Sequence, residues 1–317
     1  MKILVLIMGA VKQPATRNME TIRNSYIKLY NENKFNNEFE FLFYIGNSEK
    51  TYQENDILYC NAPDDIEHTF DKTIAAFDYI SKNKDFDFLI RTNISTYINI
   101  PLLDVVVNNL NNDSIYANQF NAYLTSIKYI NDVYPRGDAY IISKNKLSEI
   151  LNLYDKINFE EVKNVLDNCD DTLIGLLYLK SYKDLYINHY IQLQYNFLPF
   201  FANDLSTDNY LDSCNVIFTR LKTCSPDASI SGYSWDDNEY RLEDVKKFNN
   251  INNIIKHNIH LYKDLDNINV LEIITRPQHR DIPIIDLKCQ KYVFTEWNDL
   301  KNIVIKKHSD EIIKFFI

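Results

Sequence analysis

The chain has 317 residues, of which 45% are hydrophobic and 25% are charged, so it can form a globular domain with a sizeable core. The formal net charge of −10 argues against a nucleic-acid-binding protein, because binding to phosphates requires a basic surface. Five scattered cysteines without a CxxC motif argue against a disulfide framework or a zinc site, and they favour a reducing, cytoplasmic compartment.

The first apolar run covers residues 2–8 and is rich in branched side chains. Such a run is typical of a parallel strand that is covered on both faces. With the small residues after it, the run also fits a signal peptide. The pattern farther along the chain favours the strand, and no stretch is long enough to predict a transmembrane segment.

Strand-like and helix-like segments alternate over the next part of the chain. Apolar residues at helical spacing predict helices over 16–30 and 69–81, and short apolar runs predict strands over 39–45, 56–60 and 86–90. This alternation indicates βαβ units. The sequence therefore predicts an α/β fold with a mostly parallel central sheet and flanking helices.

The second half contains weaker signals. They predict helices over 101–110, 159–166 and 172–179 and strands over 114–117 and 139–143. From about residue 225 the chain becomes loop-like and Asn-rich, with short strands predicted at 270–274 and 282–287 and an amphipathic tail at 297–316. We therefore predict a main domain over 1–225 and a carboxyl-terminal α/β extension over 226–317, which binds an acceptor or packs on the core.

The ligand site is expected at the carboxyl ends of the parallel strands. This rule selects the loops at 9–17 and 60–68 and the polar cluster at 91–95. An Asp-x-Asp sequence occurs at 85–87, but it precedes its strand. It therefore lies at the amino end, the wrong end for a metal–diphosphate site.

Several polar residues near these loops have two interpretations each. Arg17 and Arg23 are either solvated charges or, for Arg17 in the first turn of its helix, an anion contact. The turn in YPRGDAYIIS (134–143) is either a simple tight turn or a place where Gly137 lets a sugar approach the backbone. Asp170 and Asp171 either cap the next helix or provide a general base, and adjacent carboxylates can raise one another's pKa.

Two histidines, His257 and His260, are close enough in sequence to share a helix face. No further plausible ligand accompanies them, so we predict no metal site there. Gly-rich phosphate loops and the common hydrolase and zinc-protease motifs do not occur in the sequence.

Taken in chain order, several motifs resemble those of the GT-A fold glycosyltransferases, in particular the β-1,3-galactosyltransferase-like family (family 31). They span roughly residues 1–180, and 218–222 resembles a basic strand that occurs late in related enzymes. The matching segments are Arg17 with Ile22-Arg23-Asn24-Ser25-Tyr26; Asp56-Ile57, Asp65 and Thr69 with Lys72-Thr73; FLIRTNISTYIN (88–99); YPRGDAYIIS; and Asp170-Asp171 with Gly175.

The resemblance implies a Rossmann-like nucleotide-diphospho-sugar transferase of the hexosyltransferase type that inverts the anomeric centre. Its partners would be a nucleotide-sugar, with UDP-sugars favoured, and a glycan or other hydroxyl acceptor. Asp171 would be the general base, with Asp170 as the alternate. The implied nucleotide-sugar-binding residues are Gly9, Ala10, Arg17, Arg23, Lys72, Arg91, Thr92, Asn93, Ser95, Gly137 and Asp138.

The sequence departs from the family where the acidic triplet that holds Mn²⁺ is expected. Asn93-Ile94-Ser95 stands there, and the neutral oxygens of Asn93 and Ser95 supply no charge to a hard cation. We therefore expect a metal to be unnecessary, or Mn²⁺ or Mg²⁺ to bind weakly. Positive charge for the leaving diphosphate would come from Arg91, Arg220 and Lys222, with Arg241 less favoured.

Two other functions compete with glycosyl transfer. The missing acidic triplet suits a catalytically inactive GT-A-like protein that binds sugars or nucleotide-sugars. A nucleotidyltransferase is a third hypothesis, which the lack of a Gly-rich phosphate loop and of paired acidic metal ligands disfavours.

Overall fold

A computed structural model describes residues 1–110, 112, 115–117, 120–122, 133–135, 137–157, 170–181, 190–192, 195–197, 217–221 and 241–263. None of the helices in these ranges has the length and hydrophobicity that crossing a membrane requires. Several predictions lie outside the described residues, and they concern the helix at 159–166, Lys222, the domain boundary near 225, the strands at 270–274 and 282–287 and the tail at 297–316.

The helices and strands alternate as expected through the first half of the chain. The strands are β1 (Lys2–Met8), β2 (Glu38–Ile45), β3 (Tyr52–Glu54), β4 (Ile57–Tyr59), β5 (Phe88–Asn93), β6 (Thr96–Ile98), β7 (Ile115–Ala117), β8 (Phe120–Ala122), β9 (Val133–Pro135), β10 (Ala139–Ser143), β11 (Tyr190–Gln192), β12 (Tyr195–Phe197) and β13 (Phe218–Arg220). The helices are α1 (Ala15–Ile22), α2 (Lys28–Glu32), α3 (Thr69–Asn83), α4 (Ile100–Val106), α5 (Lys144–Tyr154), α6 (Asp170–Ser181), α7 (Arg241–His257) and α8 (Ile259–Lys263).

An eight-stranded central sheet has the order β11-β7-β10-β5-β1-β2-β4-β3. Strand β1 pairs in parallel with both β2 and β5, and β4 pairs in parallel with β2. Strand β10 runs antiparallel between β5 and β7, and β3 runs antiparallel to β4 at the edge. Six of the eight strands therefore run in the same direction, which confirms the predicted α/β fold with a mostly parallel sheet.

The first apolar run forms the central strand β1, which is covered on both faces. Ile3, Val5 and Ile7 contribute to one core cluster, and Leu4 and Leu6 contribute to the other. Because both faces of the strand are buried, the sequence is apolar at every position instead of alternating.

The apolar stripes predicted for the first two helical regions are buried as expected. The region predicted as one helix over 16–30 consists of α1, a π-helical turn over Arg23–Ile27 and α2, with Ser25 outside the helical φ/ψ region. The buried stripe residues are Met19, Ile22, Tyr26 and Leu29 in this region and Phe70, Ile74, Phe77 and Ile80 in α3.

The prediction that a polar cluster follows the fourth strand was wrong in its boundary. Strand β5 continues to Asn93, so Arg91, Thr92 and Asn93 belong to the strand itself. Arg91 lies opposite Leu6 of β1 and Tyr140 of β10. Polar side chains are tolerated at these positions because each finds a hydrogen-bond acceptor in the turn before β10.

The Asp-x-Asp sequence lies at the amino edge of the sheet, as predicted. Asp87 Oδ2 accepts a 2.8 Å hydrogen bond from the backbone N–H of Lys2, at the start of β1. Asp85 Oδ2 lies 2.6 Å from Nζ of Lys2, and both side chains of this ion pair are exposed. These carboxylates therefore have a role in the edge of the sheet and not in a site at its other end.

Helices α7 and α8 were missed in the sequence. The apolar spacing is visible at Phe248, Ile251 and Ile255, which join the same buried cluster as Ile22 of α1, but the intervening Asn residues mask it. Strand β13, where the family comparison places a late strand, pairs antiparallel with β6. The described residues of the predicted extension, 241–263, pack on the central core through α7 and α8.

Candidate functional site

The carboxyl ends of β1, β2, β4 and β5 meet at one edge of the central sheet, which we call the carboxyl edge. Gly9 and Ala10 follow β1, Gly46 follows β2, and the loop that contains Asp64 follows β4. Because β10 is antiparallel, the turn formed by Gly137 and Asp138 also lies at this edge. The predicted loops are therefore brought together.

A buried ion pair between Lys72 and Asp64 fastens the loops on one side of the carboxyl edge. Nζ of Lys72 lies 2.8 Å from Oδ1 of Asp64 and donates to the carbonyl oxygen of Gly9 at 3.0 Å. Asp64 also accepts hydrogen bonds from the backbone N–H groups of Gly46 (3.0 Å) and Val11 (2.7 Å). One carboxylate thus joins three loops.

Both side chains of this pair are almost fully buried, with 4% exposure for Lys72 and 1% for Asp64. Burial opposes ionisation of Asp64, but the Lys72 charge and the backbone donors outweigh it and lower the pKa of the carboxyl. Asp64 was missed in the sequence analysis, where the family motif drew attention to Asp65. Asp65 instead bonds to the ring of His68 at 2.6 Å.

A second buried ion pair, between Arg91 and Asp170, lies on the other side of the carboxyl edge. The guanidinium Nη2 contacts Oδ2 of Asp170, at the first residue of α6. Its Nε donates to the hydroxyl of Tyr44 at 3.1 Å, and its Nη1 donates to the carbonyl oxygen of Gly137. Arg91 has no exposed surface.

Burial controls the ionisation of the groups around this pair. It raises the pKa of Asp170 to about 6, although the Arg91 charge acts in the opposite direction. Burial also raises the pKa of Tyr44 to about 12 and that of Tyr140 well above its ordinary value. The Tyr44 hydroxyl bonds to Thr73 at 3.0 Å, whereas the Tyr140 hydroxyl has no hydrogen-bond partner among the described residues.

The turn at Gly137 and Asp138 accepts four hydrogen bonds from β5 and β6. The Gly137 carbonyl accepts from Arg91 and, at 2.8 Å, from the side-chain amide of Asn93. The Asp138 carbonyl accepts from the hydroxyls of Thr92 at 2.8 Å and Thr96 at 3.0 Å. The polar side chains of β5 thus stabilise the neighbouring turn.

Asp171 lies beside Asp170 but has a different environment. It is only partly buried, and its Oδ2 accepts a 3.0 Å hydrogen bond from the backbone N–H of Gly137. The two adjacent carboxylates therefore differ, since Asp170 pairs with a buried cation and Asp171 is held by a backbone amide at the carboxyl edge.

The other predicted cations have specific partners. Arg220 pairs with Asp138, and both are buried. Arg241, also buried, pairs with Asp244 and donates to the Ser95 hydroxyl at 2.8 Å.

Arg17 lies half-buried in the first turn of α1 at the carboxyl edge, in the position predicted for an anion contact. Arg23 is not brought there. Its Nε and Nη2 bond to both oxygens of Asp56, at 2.7 and 3.2 Å, and Asp56 precedes the amino end of β4.

The residues in place of the acidic triplet do not fit a hard cation. The side-chain oxygen of Asn93 already accepts from the backbone N–H of Ser95 at 2.9 Å, and Ser95 Oγ accepts from Arg241. Within the described ranges, no group of three His, Cys, Asp or Glu side chains could hold a metal ion. Asn93 and Ser95 therefore offer neutral oxygens that already accept hydrogen bonds, whereas Mn²⁺ and Mg²⁺ prefer charged oxygens.

No protein-family model and no curated protein matches the chain. Solved structures do resemble it. The galactosyltransferase LgtC in complex with donor and acceptor sugar analogs is 14% identical, with 78% of this chain and 96% of that chain covered and a TM-score of 0.44.

Two further similar structures are also glycosyltransferases. One is involved in glycosylation of the major capsid of PBCV-1, with 11% identity, 78% and 99% of the two chains covered and a TM-score of 0.38. The other is GlyE of Streptococcus pneumoniae TIGR4, with 13% identity, 81% and 64% covered and a TM-score of 0.39.

The Lys72→Met substitution is expected to lower the free energy of unfolding by about 3–5 kcal/mol, because it leaves Asp64 buried without its cation. Lys82→Met is a matched control on the same helix. Its pair with Asp78 is 67% and 52% exposed, so its loss should change stability little. Urea unfolding of both variants measures the difference, and equal losses would contradict a buried loop-fastening pair.

Asp170 is expected to make stability depend on pH. Its folded pKa of about 6 lies above the ordinary value of 3.8, so between these values the folded state binds more protons than the unfolded state. This contribution to the free energy of unfolding is present below pH 4 and is lost as the pH rises through about 6. Asp170→Asn should remove it, so the difference between wild-type and variant stability must change across that window in urea unfolding. A constant difference would contradict the assignment.

Proposed function

We propose that the chain is a GT-A fold glycosyltransferase that transfers a sugar from a nucleotide-diphospho-sugar to a hydroxyl acceptor with inversion. Three observations support the proposal. They are the ordered family-like motifs in the sequence, the loops gathered at the carboxyl edge, and two adjacent carboxylates with different environments at the start of α6.

The observation that carries the proposal is the position of Asp171. Its carboxylate lies at the carboxyl edge, and the Gly137 N–H holds one of its oxygens at 3.0 Å. A fixed carboxylate there can take the proton of an acceptor hydroxyl. The hydroxyl oxygen then forms a bond to the anomeric carbon, the bond to the diphosphate oxygen breaks on the opposite face, and the nucleoside diphosphate leaves.

The leaving diphosphate requires positive charge as it departs. Arg91 and Arg220, which we predicted for this task, are buried and paired with Asp170 and Asp138. Among the described residues, we therefore assign this positive charge to Arg17 and to the amino end of α1, where the helix adds partial positive charge. Lys222 keeps its predicted role, and the reaction is proposed to be metal-independent or only weakly metal-assisted.

The Asp171→Asn substitution is expected to reduce transfer by about 10²–10⁴-fold, because the amide cannot accept the hydroxyl proton. Donor binding should survive, as judged by thermal shift with the same nucleotide-sugar. Asp85→Asn is the control, since this exposed carboxylate lies at the opposite edge of the sheet and should leave transfer unchanged. A variant at Asp171 with wild-type turnover would refute the assignment of the base.

A thermal-shift panel of UDP-, GDP- and dTDP-sugars, each with and without Mn²⁺, is expected to identify a donor that raises the melting temperature without metal. UDP-sugars are the favoured class. Turnover with that donor should persist in EDTA. Turnover that disappears with EDTA and returns with Mn²⁺ would contradict metal independence, and binding without turnover for any acceptor would favour the inactive binding protein.

A further inference from the structure

We propose that Arg91 is a positioning residue for Asp171, acting through the turn at Gly137 and Asp138, and that it does not contact the donor. The expected effect on catalysis rests on the proposed function. The structural connection rests only on the contacts of the Arg91 guanidinium and of Gly137.

The guanidinium of Arg91 is occupied by protein groups. Nε donates to the Tyr44 hydroxyl, Nη1 to the Gly137 carbonyl, and Nη2 contacts both Asp170 and, at 3.5 Å, the sulfur of Met8. The side chain has no exposed surface and lies 5.8 Å over the ring of Tyr140. A diphosphate could reach it only by displacing a buried carboxylate, which is costly.

Arg91 connects both carboxylates of the Asp170-Asp171 sequence. It pairs with Asp170 directly, and it holds the carbonyl side of Gly137 while the amide side of Gly137 binds Asp171. A charge-assisted hydrogen bond from the buried cation, together with the 2.8 Å hydrogen bond from Asn93, therefore holds the residue whose N–H orients the proposed base.

The same turn is held from two other sides. The hydroxyls of Thr92 and Thr96 both bind the Asp138 carbonyl, and Arg220 binds the Asp138 carboxylate. These contacts hold the turn in place. We therefore expect a small displacement of Arg91 to change the position of Asp171 through Gly137 and to leave the rest of the sheet unchanged.

The glycine at position 137 has a steric reason that the sequence did not reveal. A Cβ atom there would lie 3.2 Å from Oδ2 of Asp171 and 3.4 Å from Nη1 of Arg91. None of the described glycines has a positive φ, so an alanine would not strain the backbone. Glycine at this position thus allows the close approach of Asp171 and Arg91, a steric role that the sequence-based interpretations of this turn did not include.

The structural part of the inference can be tested by amide exchange, because the chain has only five glycines. Protein labelled with ¹⁵N-glycine gives few resonances, and Gly137→Ala assigns one of them. Arg91→Lys is expected to accelerate exchange of the Gly137 amide about tenfold or more, since it weakens the hydrogen bond from the cation to the Gly137 carbonyl, which holds the turn.

Gly46 provides an internal control. Its N–H also donates to a buried carboxylate, Asp64, at 3.0 Å, but that carboxylate is held by Lys72. Its exchange should therefore stay unchanged in Arg91→Lys. Equal acceleration at both glycines would mean general loosening, and an unchanged Gly137 amide would mean that Arg91 does not hold the turn; either result overturns the inference.

The catalytic part is tested with Gly137→Ala, which adds no backbone strain and is expected to displace Asp171 by a few tenths of an ångström. The kcat is expected to fall about tenfold with an unchanged donor KM, because a small misplacement of a reacting group is costly. In an Asp171→Asn background the same change should have no further effect. An unchanged kcat, a raised donor KM, or an equal loss in both backgrounds would overturn the positioning role.

Failure of the proposed function gives a different pattern. In that case Asp171→Asn retains full turnover, or no nucleotide-sugar is used at all, while the Gly137 exchange result stands. The exchange measurement does not depend on activity, so it decides whether Arg91 organises the turn even then.

Discussion

The burial of Arg91 in the middle of the central sheet is the constraint on which the carboxyl edge depends. A cation without exposed surface must find a counter-charge and acceptors for its N–H groups, because an unpaired buried charge is severely destabilising. Asp170, Tyr44 and Gly137 meet this requirement, and they come from α6, β2 and the turn before β10. One side chain thereby fixes three elements that are distant in sequence.

The charged side chains described at this edge mainly form ion pairs and hydrogen bonds that stabilise its loops and turns. Lys72 and Asp64 join the loops after β1, β2 and β4, and Arg220 secures the Gly137-Asp138 turn. Asp170 likewise pairs with a buried cation, Arg91. Asp171 differs from Asp170 because its described contact is with a backbone amide. The two adjacent carboxylates therefore have different surroundings.

The sequence predicted the mostly parallel sheet and the loops at its carboxyl edge, since burial on both faces makes β1 uniformly apolar and the stripe of α3 has helical spacing. It could not predict which cation meets which carboxylate. Asp138 and Arg220 are 82 residues apart, and Gly137 and Asp171 are 34 apart, so tertiary packing decides both contacts. The same reason explains why Arg91 was expected to bind a diphosphate and why Asp64 was overlooked.

The central claim is that Asp170 is buried against Arg91 whereas Asp171 is partly exposed at the carboxyl edge. Carboxyl footprinting with a carbodiimide and an amine, read by tandem mass spectrometry, distinguishes the two adjacent residues directly. We predict that Asp171 is modified much faster than Asp170 at neutral pH, and that a stabilising nucleotide-sugar with its acceptor protects Asp171. Equal modification of both residues, or faster modification of Asp170, would contradict the account.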